Sequence, residues 1–209
     1  GDSGDTGELS PAALTHEVSA AGTLGRWDRV SPIMAKAMRS PSLRGIAGAR
    51  LYAALISAAT ACGRPERGLE VFREMEAEAA AGARVEVLAS KREDSAVREH
   101  VLGGVTWDGG GGEARRLPPP DGATLLAALD ACAACGGEES VTLAIDVTKA
   151  AAAAAREPAG NGEKGAASRG TLSSRKLAAV LMRAAEVCAA AGADSTAKAL
   201  AAKAFEIAG

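Results

Sequence analysis

A glycine that recurs in one local setting constrains this chain more than any other feature. Gly25 stands in Leu-Gly-Arg-Trp-Asp-Arg-Val and Gly63 in Cys-Gly-Arg-Pro-Glu-Arg-Gly, each followed by Arg, one further residue, an acid and a second Arg. Related settings surround Gly136, in Ala-Cys-Gly-Gly-Glu-Glu-Ser-Val, and Gly192, in Ala-Ala-Gly-Ala-Asp-Ser-Thr-Ala. Five residues beyond these glycines stand Val30, Gly68, Val141 and Ala197; eight beyond stand Ile33, Val71, Ala144 and Leu200; twelve beyond stand Ala37, Met75, Thr148 and Ala204. Steps of three and four keep such residues on one face of a helix. Upstream of each glycine lies another helical run, clearest over 49–62 and 124–135. A glycine between two runs suits a helix C-cap, where the backbone turns left-handed. The unit is therefore a helical hairpin, and one hairpin cannot cover its own apolar face, so neighbours must stack into a continuous core.

Composition agrees with an all-α fold. The chain is 47% hydrophobic but only 2% aromatic, so its apolar surfaces are built mainly from small residues. Ala has the highest helix propensity, and the β-branched and aromatic runs typical of strands are nearly absent. The formal net charge of −2 lacks the basic excess that marks most nucleic-acid binders. Asp130 interrupts one Ala/Leu-rich stretch, and Arg183 with Glu186 another, so no membrane-spanning helix is expected. Four cysteines, Cys62, Cys132, Cys135 and Cys188, are too few and too deep in helical patterns for a disulfide framework.

The glycines are separated by 38, 73 and 56 residues. Paired-helix repeats have a period of about 35 residues, so the second interval leaves room for a degenerate hairpin or a loop, and the third for an insertion. The expected organisation is a flexible tail at 1–7, two hairpins over 8–80, and an insertion or degenerate hairpin over 81–120. A third hairpin over 121–155, a disordered loop over 156–173 and a fourth hairpin over 174–209 complete it. Within 81–120, a weak helical pattern runs from Arg84 to Leu102 with Val87, Val97 and Val101 inward. Asp108-Gly-Gly-Gly-Gly112 and Pro118-Pro-Pro120 break regular structure after it.

The run from Leu51 to Met75 resembles a pentatricopeptide repeat. It has Tyr52 early in the first helix, Leu55-Ile56 soon after, Gly63 at the turn, and Phe72 with Met75 three residues on in the second. Residues 121–136 resemble the first helix of another such repeat. Tetratricopeptide repeats share the hairpin and a period of about 34 residues, and the Phe72 to Met75 ending is the feature that favours the pentatricopeptide type. The resemblance implies a right-handed α-solenoid of about four hairpins. It also implies an organellar protein, in chloroplast or mitochondrion, that binds single-stranded RNA with about one base read per repeat. In the family, the residue after the Tyr position is usually a small polar side chain that reads the base. The corresponding residues here are Thr15, Ala53, Leu126 and Met182. Only Thr15 carries a hydrogen-bonding group, and base edges are read through donors and acceptors.

Other candidate sites each have two readings. Cys132-Ala-Ala-Cys135 has zinc or redox spacing, but no second pair or suitably spaced His accompanies it. Cys132 aligns with Cys188, and Cys135 with Cys62, so packing in the repeat core is the expected role of all four. Gly109 to Gly112 lacks the Lys-Ser/Thr of a phosphate loop. Trp107 either anchors a partner or folds back on the helices. Between Asp28 and Glu66 no acid occurs, whereas Arg29, Lys36, Arg39, Arg44, Arg50 and Arg64 do. Arg26/Arg29 and Arg64/Arg67 follow their turns at matching places, so stacking would align them in a ladder. That ladder would hold RNA phosphates or an acidic protein surface, or it is a solvated edge partly neutralised by Asp28 and Glu66. No nucleophile–base set, paired carboxylates or His-Glu helix motif recommends catalysis. The expectation is a protein with no catalytic residue, no cofactor and no metal. It would act as a scaffold or adaptor among the protein subunits of an organellar assembly such as a ribosome, photosynthetic or respiratory complex. The alternative is a single-stranded RNA factor.

Overall fold

A computed structural model describes residues 10–40, 43, 49–93, 120–156 and 172–209. These residues form eight α-helices and no strand: α1 Pro11–Thr23, α2 Trp27–Arg39, α3 Ala49–Ala61, α4 Pro65–Glu93, α5 Gly122–Cys135, α6 Gly137–Arg156, α7 Ser174–Ala190 and α8 Asp194–Ala208. The helices pair into four hairpins that turn at Gly25, Gly63, Gly136 and Gly192, whose φ angles are 65°, 69°, 69° and 79°. The fold is all-helical and repeat-like.

Three of the turns are copies of one another. The amides of Arg26, Arg64 and Ala193 each donate to the carbonyl five residues back, at Ala21, Ala59 and Cys188, over 2.8 Å. The glycine amides donate three residues back, to Gly22, Thr60 and Ala189, over 3.0 Å. This bond pair is the Schellman motif, which satisfies the last helical carbonyls and requires a left-handed residue between them. The third turn differs. Gly136 donates to Cys132 at 3.0 Å, and Gly137, with φ of 78°, is itself the first residue of α6.

The shorter turn moves the third hairpin's register by one residue. In α2 and α4 the positions five, eight and twelve beyond the glycine are all buried: Val30, Ile33 and Ala37, then Gly68, Val71 and Met75. In α6, Ala144 and Thr148 are buried but Val141 is half-buried, and the inward positions shift to Ser140, Leu143 and Val147. The Ser140 hydroxyl, now inward, donates to the Gly136 carbonyl at 2.6 Å. In α8, Ala197 and Ala204 are buried and Leu200 is half-buried.

Among the described residues, side-chain caps stand before α1, α5 and α7, which do not start from a glycine turn. Ser10 accepts from the Ala13 amide, Asp121 from Thr124 and Ser173 from Lys176, each satisfying an otherwise orphaned first-turn amide. The first helices of successive hairpins pack on one another, α1 on α3, α3 on α5 and α5 on α7. Each second helix also touches the next first helix, α2 on α3, α4 on α5 and α6 on α7. Small residues permit this closeness. A Cβ at Gly22 would lie 2.6 Å from the Ala58 Cβ, and one at Gly68 would lie 3.0 Å from the Ile56 carbonyl oxygen. Tyr52, fully buried, donates its hydroxyl to the Ala37 carbonyl at 3.0 Å and so ties α3 to the end of α2.

Element boundaries depart from the sequence reading in two places. Residue 80 was the expected end of the second hairpin, but α4 continues without a break to Glu93. No new helix starts at Arg84, and the remainder of that expected helix, with the Gly-rich run, lies outside the described residues. Residues 156–173 were expected to be loop throughout. Arg156 instead closes α6, Ser173 caps α7, and Leu172 is buried, placed so that a Cβ at Gly122 would lie 3.2 Å from its Cδ1.

Candidate functional site

Two surfaces carry the residues that the sequence singles out: the free face of the first helices, and the edge where the hairpins turn. Thr15, Ala53, Leu126 and Met182, the would-be base-reading positions, all stand ten residues before their glycines, and all are half-buried. One turn on, six residues before the glycines, Ser19, Ser57, Asp130 and Glu186 are exposed, and Thr23, Ala61, Ala134 and Ala190 continue the face to the turns. The four positions are thus equivalent in spacing and burial, and they and their exposed neighbours are poor in free polar groups. The Thr15 hydroxyl donates to the Pro11 carbonyl at 2.7 Å, Ser19 to Thr15 at 2.8 Å and Thr23 to Ser19 at 2.9 Å, so these hydroxyls turn back on their own helix. On α7, Arg183 donates through Nε to Asp130 at 2.8 Å and through Nη1 to Glu186 at 2.6 Å. Its charge is matched twice, and it links α5 to α7. The face is small-residued, nearly neutral and without aromatics.

At the turn edge of the first two hairpins, arginines stand beside acids that neutralise them. Arg26 pairs with Asp28 at 2.8 Å and Arg67 with Glu70 at 2.8 Å. The hydrogen bond from Arg26 holds the Asp28 carboxyl below the usual carboxylate range. Arg29 and Arg64 are exposed. A shallow recess of about 410 Å³ opens here, lined by Trp27, Arg64, Glu66, Arg67 and Glu70. It takes Trp27 from the first hairpin and the rest of its lining from the second, and its two arginines face two glutamates. The acid-free stretch between Asp28 and Glu66 thus overstates the positive charge here, since Glu70 lies one helical turn beyond Glu66 and pairs with Arg67. Trp27 was not singled out as a site residue. Its place two residues past Gly25, at the start of α2, was the available signal.

The remaining cations are dispersed. Lys36 and Arg39 are exposed in the last turn of α2, where positive charge complements the helix dipole. Arg50 is exposed in the first turn of α3. Arg44 and Trp107 lie outside the described residues.

The cysteines divide by register. Cys132 and Cys188, four residues before their glycines, are buried, whereas Cys62 is half-buried and Cys135, one residue before its glycine, is exposed. The expectation that all four pack in the core is corrected at Cys135, which sits in the last turn of α5, where the helix surface faces water. All four are free thiols. Burial pushes Cys132 up to about 12 and raises Cys188 and Cys62; Cys135 is raised by partial burial and by Glu66 and Glu139. None is a ready nucleophile at neutral pH. Among the described residues no group of three or more His, Cys, Asp or Glu is placed to hold a metal, and no helix is long and apolar enough to cross a membrane.

No protein-family model, curated protein or solved structure matches the chain.

Proposed function

We propose that the chain is a non-catalytic, pentatricopeptide-like scaffold: a right-handed solenoid of four hairpins that holds protein subunits of an organellar assembly. The observation that carries this reading is the row formed by Thr15, Ala53, Leu126 and Met182. Three of its four side chains have no hydrogen-bonding group, and the hydroxyl of the fourth donates to its own helix at 2.7 Å. A base edge laid along this row would lose its bonds to water and gain almost none in return, a net cost for each polar group left unpaired. The exposed rows beside it lack the aromatic platforms that contribute about 1–3 kcal/mol per stacked base in single-strand binders. A face without aromatics, whose two carboxylates Asp130 and Glu186 are both met by Arg183, suits close apposition of another protein's helices.

The runner-up is an organellar single-stranded RNA factor for transcript processing, stability or translation. It rests on Arg29, Lys36, Arg39, Arg50 and Arg64, which are exposed and make no ion pair among the described residues. Isolation at native abundance, before and after ribonuclease and high salt, separates the two readings. Under the scaffold reading, a fixed set of proteins stays bound through ribonuclease. Release by ribonuclease with enrichment of one transcript would reverse the order, and the triple substitution of Arg39, Arg50 and Arg64 to Ala would then weaken RNA binding with a shallower salt dependence.

A further inference from the structure

The three like-built turns share a backbone but not their side chains. One residue before and two beyond the glycine stand Leu24 and Trp27 at the first turn, Cys62 and Pro65 at the second, and Ala191 and Asp194 at the fourth. The fourth turn closes with the same two hydrogen bonds, at the same lengths, as the first. Turn geometry therefore requires neither a leucine nor a tryptophan. Leu24 is 75% exposed, the most exposed large apolar side chain among the described residues. Apolar side chains held in water within a polar rim mark contact surfaces between proteins.

The first two turns also adjoin. Half-buried Trp27 forms one wall of the recess of about 410 Å³, and the second hairpin supplies the rest of its lining. The Cys62 thiol is raised by burial and then by Asp28, which places the end of α3 within electrostatic reach of the start of α2. Cys62 and Pro65, both half-buried, add apolar surface at the second turn.

Charge decides what fits this edge. Asp28 and Glu70 are engaged by Arg26 and Arg67. Arg29 and Arg64 are exposed and make no ion pair among the described residues, so unmatched positive charge outweighs the one unmatched acid, Glu66. A strand of phosphates would meet the carboxylates of Asp28, Glu66 and Glu70 on the same edge, a like-charge apposition that disfavours the wrong partner, and would leave Leu24 in water.

We propose that the turn edge of the first two hairpins docks a segment of another protein in which acidic residues flank an apolar anchor. Leu24 and Trp27 receive the anchor, and Arg29 and Arg64 the carboxylates. The proposal rests on the scaffold reading for its class of partner and adds a second surface, apart from the free face of the first helices.

The test is fluorescence anisotropy of the full chain with a labelled, alanine-based helical peptide that carries a central Leu and a Glu one turn to either side. The peptide binds saturably, and added salt weakens it. Leu24→Ser weakens binding roughly tenfold or more, whereas Phe205→Ser, at the other exposed large apolar side chain, leaves it unchanged. Arg29→Ala with Arg64→Ala weakens binding and flattens its salt dependence. Circular dichroism checks that each variant keeps wild-type helicity. No saturable binding, equal binding of a peptide with Lys in place of Glu, or equal loss in Phe205→Ser overturns the proposal. An octauridylate that displaces the peptide overturns it in favour of RNA. In the native isolation, Leu24→Ser releases at least one protein that resists ribonuclease; retention of all of them overturns this docking edge and leaves the scaffold reading standing.

Discussion

Gly22 and Gly63 are both glycines for steric reasons, but of different kinds, and substitution separates them. Gly22 has ordinary helical geometry and lies where α1 crosses α3; an added Cβ would stand 2.6 Å from the Ala58 Cβ and 2.8 Å from its Cα. Gly22→Ala gains roughly 1 kcal/mol of helix propensity but meets overpacking of about 1–3 kcal/mol against backbone that a side chain cannot evade. We expect net destabilisation, read as a lower denaturation midpoint, and a stabilised variant would mean that α1 and α3 are further apart. Gly63 has open space around it but a φ of 69°. Gly63→Ala should cost about 1–2 kcal/mol through backbone strain alone, whatever the packing. The first glycine could not be told from a surface alanine position by reading the chain, because its constraint comes from Ala58, 36 residues away. The second was legible as a turn from its neighbours.

At the scale of the element, each hairpin turn sets the register of the helix after it, and the cysteines report that register. Cys132 and Cys188 stand at equivalent places and are buried, while Cys135 is exposed. Alkylation of the folded protein should therefore modify Cys135 first and leave Cys132 and Cys188 intact until unfolding; early loss of Cys132 would mean α5 is rotated. The pH dependence follows with a definite sign. Cys132 is raised from 9.0 to about 12 in the fold, so between those values the unfolded chain holds fewer protons than the native one. Stability is then fully present below pH 9 and falls as pH rises towards 12. Cys132→Ala should flatten that part of the stability profile relative to the wild type, and equal slopes would show that other groups cause the fall. The paired glycines at 136 and 137 were visible in the chain, but their effect was not. Only the observed turn shows that α6 begins one residue early, which turns Ser140 inward and leaves Val141 half-buried.

At the scale of the whole molecule, stability should be graded along the stack. In a chain whose hairpins contact mainly their neighbours, local opening depends on local interfaces. The last helix, α8, fully buries only Ala197 and Ala204 and packs chiefly on α7, whereas α2, α4 and α6 also meet the next first helix. Hydrogen exchange should therefore find α8 less protected than α3 and α5, and equal protection would indicate one all-or-none unit.

The hairpins, their four turning points and the apolar faces of α2 and α4 follow from periodicity and glycine placement alone, because helix period and the left-handed cap are local properties of the chain. Charge balance at the turn edge was only half legible: the arginines could be read from the chain, but which acid each one meets depends on rotamer and on spacing along one helix face. The burial of Leu172 was not legible, since it depends on what neighbouring helices cover. Which side of each described helix is covered was decided only by the tertiary structure. Burial is a property of neighbouring hairpins, and the approach of Gly22 to Ala58 cannot be read from either residue alone.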